Sequence, residues 1–110
     1  MNIATSTICQ AIRERRVVRI FYNGGFRTVE PHCHGTSLAF NEVLRGYQVQ
    51  GHSSSGHPVG WKLFEVAKMS FVTVLEDRFE TNRPLYNPAD KDMRQVHCHV
   101  KEPMSQRAAG

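Results

Sequence analysis

The sequence predicts a small, mainly β fold: a five-stranded barrel that follows one helix. Two segments, 43–49 and 61–69, mix aromatic and β-branched residues in the way that strands do. The residues between them, 51–60, contain three Ser and three Gly, which predicts a hairpin with a long tip. Asn23-Gly24-Gly25 predicts a tighter turn between two earlier strands. At 110 residues, the chain has the length of a single domain.

The helix comes first along the chain, over residues 5–16. Ile8 and Ile12 are four residues apart, which places both on one face. Ser6 or Thr7 can cap the first turn, because a hydroxyl oxygen accepts hydrogen bonds from free N–H groups. Arginines occupy the last turn, where the helix dipole favours cations. We expect the apolar face to pack on the barrel.

The barrel is predicted over residues 17–76. Its strands are expected at 17–22, 26–31, 43–49, 61–69 and 70–75. Pro31 cannot donate to a sheet ladder, so the second strand should end or reach a sheet edge there. Residues 32–41 are expected to form the loop that leads to the third strand.

A C-terminal extension, residues 77–110, completes the predicted single domain 1–110. Asn87 followed by Pro88 and acidic residues is typical of a helix start, and it predicts a short helix from Pro88 to about Gln95. Residues 96–100 are expected to add a final strand. Residues 103–110 should be a frayed tail.

The net charge of +4 lies entirely in the first part of the chain. Residues 1–69 contain eight Lys or Arg against four Asp or Glu, whereas residues 70–110 contain six against six. A basic region indicates an anionic partner. Nucleic acid is the commonest such partner, and a small ligand that carries phosphate would serve equally well.

The sequence also predicts the compartment. No apolar run approaches the roughly 20 residues that a membrane-spanning helix needs, and the first residues lack the pattern of a secretion signal. We therefore expect a cytoplasmic protein with no membrane partner. Its three Cys fit that location, since an odd number gives no complete disulfide set and lone buried thiols behave as small hydrophobes.

The order of several residues over about positions 10–76 resembles the WYL-domain family. That family has a strand ending in Tyr, then an Arg before a Val-x-Pro segment, which is similar here to Tyr22, Arg27 and Val29-Glu30-Pro31. Its naming motif is similar to Glu42-Val43-Leu44, where only the Leu is kept. The family's final pattern, with Arg at two basic positions around a Phe, is similar to the stretch Lys62, Phe64, Lys68, Met69, with Lys at both.

The resemblance implies an SH3-like or Sm-like barrel that serves as a ligand-sensing module of bacterial regulators. No helix-turn-helix precedes the barrel, so we expect a stand-alone module. The expected function is non-enzymatic binding of an anionic ligand, either single-stranded nucleic acid or a nucleotide, with a role in regulation and no cofactor. If the barrel forms rings as Sm proteins do, edge strands would form a homo-oligomer interface.

Six residues are the candidate ligand-binding set: Tyr22, Arg27, Arg45, Tyr47, Lys62 and Lys68. Arg45 and Tyr47 share a strand face, so together they could offer a guanidinium to a phosphate and a ring to a base. Lysines bind phosphate without the bidentate geometry of Arg. The alternative interpretation is that Tyr47 packs in the core or at its rim, while Arg45 lays its methylene groups over the barrel.

The tripeptide His-Cys-His occurs twice, at 32–34 and 97–99. Two such strands side by side could offer Zn²⁺ four imidazoles, from His32, His34, His97 and His99, or a mixed His and Cys set. The alternative is rim histidines with one buried Cys in each strand. We favour this alternative and predict no metal, because the strands supply enough apolar residues for folding without zinc. A metal-binding or structural interaction module is the competing function.

An enzymatic role is not predicted. Cys33 has histidine neighbours, but adjacent residues on a strand point in opposite directions, and no acid is placed to orient the base. The chain also lacks a phosphate-binding loop, a dinucleotide fingerprint and a paired-carboxylate signature.

Overall fold

The computed structural model describes residues 3–101 and consists of one α-helix followed by six strands, which confirms the mainly β class. The elements are α1 (Ile3–Glu14), β1 (Arg16–Tyr22), β2 (Gly25–Ser37), β3 (Glu42–Gly51), β4 (Gly60–Glu65), β5 (Ser70–Arg78) and β6 (Met93–His99), with a 3₁₀ turn at Val66–Lys68. Among these residues no helix is long and apolar enough to cross a membrane.

The strands form one antiparallel sheet in the order β4-β3-β2-β1-β5, and β6 pairs with the second part of β2. In residues 3–101, β4 and β5 are not hydrogen-bonded to each other. The sheet is therefore open between these two strands within residues 3–101, and closure into the predicted barrel is not confirmed.

Both predicted hairpins are confirmed. β1 and β2 are joined at Asn23 and Gly24, which have φ of 46° and 94°, as a two-residue hairpin turn requires. A Cβ at Gly25 would lie 2.4 Å from the His52 side chain, so this position also needs glycine. β3 and β4 pair antiparallel across the long loop. β4 ends at Glu65, earlier than predicted, and the 3₁₀ turn follows it.

β2 corrects two predictions, because it continues through Pro31 to Ser37 and includes most of the predicted loop 32–41. β1 pairs with β2 only as far as Val29, and β6 pairs with it only from Cys33 onward. Pro31 therefore lies where β2 changes its partner on that side. A missing N–H is tolerated in such a gap, which explains why the strand passes through a proline.

The predicted helix at 88–95 is also wrong. Residues 79–92 form turns without a helix, and the Asn87 side chain accepts a hydrogen bond from the Ala89 N–H at 2.9 Å as an Asx turn. β6 then begins at Met93, so the predicted final strand exists but starts earlier. The predicted tail, 103–110, lies outside the described residues.

The core lies between α1 and the inner side of the sheet. Ile8 and Ile12 of α1 are fully buried there, as predicted, together with residues such as Val18, Leu44 and Phe64. Each such side chain contributes roughly 1.5–3 kcal/mol of burial free energy. The helix spans Ile3–Glu14, so it begins and ends two residues before the predicted bounds, and Ser6 lies within it instead of capping it. Arg15 follows with a positive φ of 55°.

The cysteines differ from the prediction. Cys9 of α1 and Cys98 of β6 form a disulfide, 89 residues apart in sequence, whereas Cys33 is a buried free thiol. Sequence spacing gave no sign of this pairing. The fold brings the two cysteines together because β6 lies beside β2, against which α1 packs.

Candidate functional site

The outer side of the sheet is the side opposite α1, and a segment of the chain packs over only one half of it. Residues 79–92, here called the covering segment, cross the part formed by β2, β3 and β4. We call that part the covered half, and it contains Glu30, His32, Arg45, Tyr47 and Trp61. The bare half lies on β1, on the start of β2 and on β5, and it contains Arg19, Phe21, Phe26 and Phe71.

His32 is the buried centre of the covered half. Its ring lies 5.1 Å from that of Phe79 and 4.8 Å from that of Trp61. Nδ1–H donates to the Glu30 carbonyl at 2.8 Å, and Nε2 accepts from the Arg83 N–H at 3.2 Å. Burial lowers the pKa of His32. Both ring nitrogens therefore have partners suited to the neutral imidazole.

Arg45 is held by two carboxylates of the covering segment. It donates to both oxygens of Asp90, at 2.8 and 3.2 Å, and to Asp92 at 2.6 Å. Hydrogen bonds from Arg45 lower the pKa of Asp90. A cleft of about 200 Å³ opens beside this cluster, with Trp61 and Lys91 also in its lining. Its two cations face two acids, so an anionic ligand gains little there.

Tyr47 is part of the packing under the covering segment. Its ring meets Trp61 edge-on at 5.5 Å, and the Arg83 guanidinium lies 4.6 Å from its centroid. Arg83 in turn donates to both carboxylate oxygens of Glu30, at 2.7 and 3.0 Å. The interpretation of Tyr47 as a packing residue therefore describes its surroundings better than a free stacking ring.

Tyr22 and Arg27 lie on the inner side of the sheet and are buried. The Tyr22 hydroxyl accepts a hydrogen bond from the Glu65 N–H at 2.9 Å, and its ring meets Phe64 edge-on at 5.0 Å. Arg27 donates to the Tyr22 carbonyl at 3.2 Å and to the Gln48 side chain at 3.4 Å. Burial lowers the pKa of Arg27. These contacts give both residues a place in the core.

The two candidate lysines do not join Arg45. In the β3–β4 ladder, Lys62 is opposite Gly46, so its side chain and that of Arg45 lie on opposite sides of the sheet. Lys62 Nζ donates to the His57 carbonyl at 2.6 Å and lies near loop serines. Lys68 pairs with Glu65 at 2.9 Å. The six predicted residues are thus spread over both sides of the sheet.

The bare half brings together four residues that the candidate set did not include. Phe21, Phe26 and Phe71 are in mutual contact, with ring centroids 5.1 to 6.4 Å apart. Phe26 is 43% exposed and Phe71 is 73% exposed. The Arg19 guanidinium lies 4.2 Å from the Phe26 centroid, and no carboxylate within residues 3–101 pairs with it.

A sequence signal for the bare half exists. Arg19 and Phe21 alternate along β1 with the buried Val18 and Ile20, so they share the opposite side. The tight turn that follows places Phe26 directly across from Phe21. Phe71 reaches these rings only because of the register in which β5 pairs with β1, and local sequence patterns do not reveal that register.

The two His-Cys-His tripeptides meet, but only one histidine of each lies near a histidine of the other tripeptide. β2 and β6 pair antiparallel with Cys33 opposite His99 and His34 opposite Cys98. His32 remains in the covered half, and His99 Nδ1 contacts the Val100 carbonyl at 2.9 Å. The register therefore brings together only two of the four imidazoles, those of His34 and His97, whose ring centroids lie 5.3 Å apart, and it places Cys98 opposite His34.

His34 and the disulfide form a buried cluster at the inner side. His34 Nδ1 lies 3.7 Å from Cys9 Sγ, and the ligand atoms of Cys9, His34 and Cys98 all lie within 4.8 Å of one another. The other ring nitrogen, Nε2, is 3.4 Å from Glu42 Oε1 but forms no hydrogen bond. Burial lowers the pKa of His34.

The remaining cysteine is poorly suited to nucleophilic chemistry. Burial raises the pKa of the Cys33 thiol to about 11, so the reactive thiolate is scarce at neutral pH. Its sulfur contacts that of Met93 at 3.6 Å.

No family model, curated protein or solved structure significantly matches this chain. The resemblance to the WYL family therefore remains a prediction from the residues quoted above.

Proposed function

We propose that this protein is a non-enzymatic module that binds single-stranded nucleic acid on the bare half of its sheet. The observation that carries the proposal is the cluster of three phenylalanine rings beside Arg19, which no carboxylate neutralises in the described part of the chain. The partner is the one expected from the sequence, whereas the residues that bind it are different.

The groups in this cluster complement those of an unpaired nucleotide, since the rings can stack on its base and Arg19 can contact its phosphate. Exposed aromatic rings on a sheet stack bases, and each stacked base contributes roughly 1–3 kcal/mol. The guanidinium of Arg19 can contact a phosphate while it stays stacked on Phe26. Bases of any sequence have a π face, so we expect binding with little sequence preference.

Backbone strain at Phe71 supports the proposal. Its φ is 51°, a conformation that is unfavourable for a bulky residue, and its ring is largely exposed. Strain of this kind costs on the order of 1–3 kcal/mol and is concentrated at functional positions. At Phe71 the strained backbone directs the ring into solvent beside Phe21 and Phe26. Burial of an exposed ring cannot offset the free energy that the strain costs.

Fluorescence anisotropy with a labelled single-stranded oligonucleotide, measured over a salt series, tests the proposal. We expect saturable binding that weakens as salt rises, because phosphate contacts release counterions. Phe71→Ala should weaken binding at every salt concentration. An absence of binding by the unmodified protein at low salt would overturn the proposal.

The chain offers a matched control at Phe40. This residue is 70% exposed, has a φ of 66°, and has the Arg94 guanidinium 4.1 Å from its ring centroid. It thus shares the exposure, strain and stacked arginine of the bare half but contacts no other aromatic ring among the described residues. Phe40→Ala should leave binding unchanged. Equal losses from Phe40→Ala and Phe71→Ala would point to nonspecific adhesion.

We propose also that the chain is a stand-alone, WYL-like regulatory module with an SH3-like or Sm-like barrel. The succession of a helix, a tight hairpin and a long-tipped hairpin supports this fold. An experimental structure of the whole chain tests it through closure of β4 on β5. Light scattering would detect a homo-oligomer, whose interface we expect at the edge strands β4 and β5.

A further inference from the structure

We propose that Cys9, His34 and Cys98 form a Zn²⁺ site when the Cys9–Cys98 disulfide is reduced. The three ligand atoms lie within 4.8 Å of one another. Cys9 Sγ and His34 Nδ1 are 3.7 Å apart. Zinc bonds of about 2.3 Å to sulfur and 2.0–2.1 Å to nitrogen, at tetrahedral angles, require a separation of roughly 3.6 Å between such atoms.

The fold holds these ligands in place. Cys9 comes from α1, His34 from β2 and Cys98 from β6, and all three are buried. Because the core and the sheet position each element, the ligands are arranged before any ion arrives. On reduction the two sulfur atoms must move apart, because zinc bonds of about 2.3 Å at tetrahedral angles place two sulfur ligands roughly 3.8 Å from each other.

The contacts of His34 favour the metal-bound form. While the disulfide is intact its sulfur carries no hydrogen, so a hydrogen bond from His34 requires the proton on Nδ1. That tautomer leaves a bare Nε2 facing the Glu42 carboxylate, and Nε2 is indeed a buried atom without a hydrogen bond. With zinc on Nδ1 the proton moves to Nε2, which can then donate to Glu42. A carboxylate behind a ligating histidine is the usual support of a zinc site.

A fourth coordination position can open toward the surface. An open groove beside Cys9 is lined by Glu42 and His97, among other residues. His97 Nε2 lies 3.3 Å from Glu42 Oε1, and its ring centroid lies 5.3 Å from that of His34. His97 Nε2 also lies 2.9 Å from Thr36 Oγ1, so a water molecule from the groove is the fourth ligand that we propose.

Formation of the site begins with reduction of the Cys9–Cys98 disulfide by a dithiol. The reductant supplies two electrons and two protons, so that the Cys9–Cys98 bond breaks into two thiols while the reductant becomes a disulfide. Zinc then replaces the two thiol protons, which pass to solvent. A cytoplasmic location, as the sequence predicts, would keep the pair in this reduced state.

Cobalt titration of the full chain tests the site directly. The protein is stripped of metal, and one sample is reduced with a trialkylphosphine while another is left oxidised. We expect the reduced protein to bind about one equivalent of Co²⁺ with a thiolate-to-cobalt charge-transfer band and tetrahedral ligand-field bands. Zinc should displace the cobalt. The oxidised protein should show neither band.

Variants separate this site from other zinc ligands. His34→Gln should weaken zinc binding by the reduced protein at least about tenfold, and Glu42→Gln by roughly 10–100-fold, as loss of an outer partner does. Cys33→Ser is the matched control, since Cys33 is a buried cysteine next in sequence to His34 but across β2 from the site. It should leave the affinity unchanged.

The reduced and oxidised wild-type proteins differ by no substitution. Comparing their zinc binding therefore tests the site even where a variant fails to fold. Equal zinc binding by both forms, or retention of the charge-transfer band in the Cys9→Ser/Cys98→Ser protein, would overturn the proposal. If reduction unfolds the chain, zinc should restore its circular dichroism spectrum. Failure to restore it would also count against the site. None of these outcomes depends on nucleic-acid binding.

Discussion

Both halves of the sheet's outer side contain arginines beside aromatic residues. The two halves differ in whether carboxylates pair with those arginines and whether other side chains cover the rings. In the covered half, Arg45 and Arg83 are each bound by carboxylates, and Tyr47 and Trp61 lie among the side chains of the covering segment. In the bare half, Arg19 is stacked on Phe26 and has no ion pair within residues 3–101, and Phe26 and Phe71 are exposed. An arginine beside an aromatic residue thus indicates a binding surface only when no acid and no second layer is placed over it.

The covered half is therefore part of the packed structure, whereas the bare half remains accessible to a ligand. Acids placed opposite the arginines remove their attraction for phosphate, whereas a bare stacked guanidinium retains it. The following predictions test this difference, from the largest expected effect to the smallest.

Arg45→Met should destabilise the protein by about 2–3 kcal/mol. The substitution keeps the length of the side chain but leaves the Asp90 carboxylate, which is only 7% exposed, without its ionic partner. Urea denaturation measures the change. Lys91→Met is the control, because Lys91 is exposed and forms no ion pair among the described residues, so its effect should stay within about 0.5 kcal/mol. Equal effects would mean that the ion pairs do not hold the covering segment.

Phe71→Ala should weaken oligonucleotide binding by roughly 5- to 150-fold, which corresponds to the loss of one stacked base at about 1–3 kcal/mol. Its effect on the free energy of unfolding should stay within about 0.5 kcal/mol, since the ring is exposed. Anisotropy and urea denaturation together separate the two effects. A variant that binds normally would show that the bare half is not the binding surface.

Stability should fall as the pH drops below about 6.5, because of the covered half. Burial depresses the pKa of His32 from its ordinary 6.5, so below that pH the unfolded chain takes up a proton that the folded protein does not. The stability contribution is complete above pH 6.5 and declines toward the lower folded pKa, by at most about 1.4 kcal/mol per pH unit for one histidine.

His32→Gln should make this pH dependence shallower in urea denaturation between about pH 5 and 8. Part of the slope should remain, because the pKa of His34 is lowered in the same way. A slope that does not change would show that His32 does not keep its neutral form on folding. His52→Gln is a suitable control, since this histidine is exposed.

Arg19→Ala should flatten the dependence of log affinity on log salt by about 0.7, the value for one phosphate contact on a single strand. Arg94→Ala, which removes the other exposed arginine stacked on a phenylalanine, should leave the slope unchanged. The two titrations are best run with the same oligonucleotide. Identical slopes for the wild type and Arg19→Ala would exclude a phosphate contact at this residue.

Much of the fold could be predicted because the signals for it are local. The β-branched and aromatic residues of β1 and the Asn-Gly turn after it favour their structures through a few neighbouring residues, and both the strand and the turn were confirmed. The failures occurred where a local signal was overridden by distant partners. Pro31 did not end β2, because the strand changes its neighbour there, and Asn87-Pro88 began a turn in a segment that the sheet and Arg45 hold in place.

The sequence by itself determined the mainly β class, the two hairpins, the basic first part of the chain and the presence of paired arginine and aromatic residues. Only the tertiary structure decided which of these residues are accessible, which side of the sheet Lys62 and Arg45 occupy, and that Cys9 meets Cys98 and His34. The physical reason is strand register and packing between distant segments. A shift of one residue in a ladder moves every side chain to the other side, and between partners far apart in the chain no short turn fixes the register, so it depends on which faces the whole fold buries.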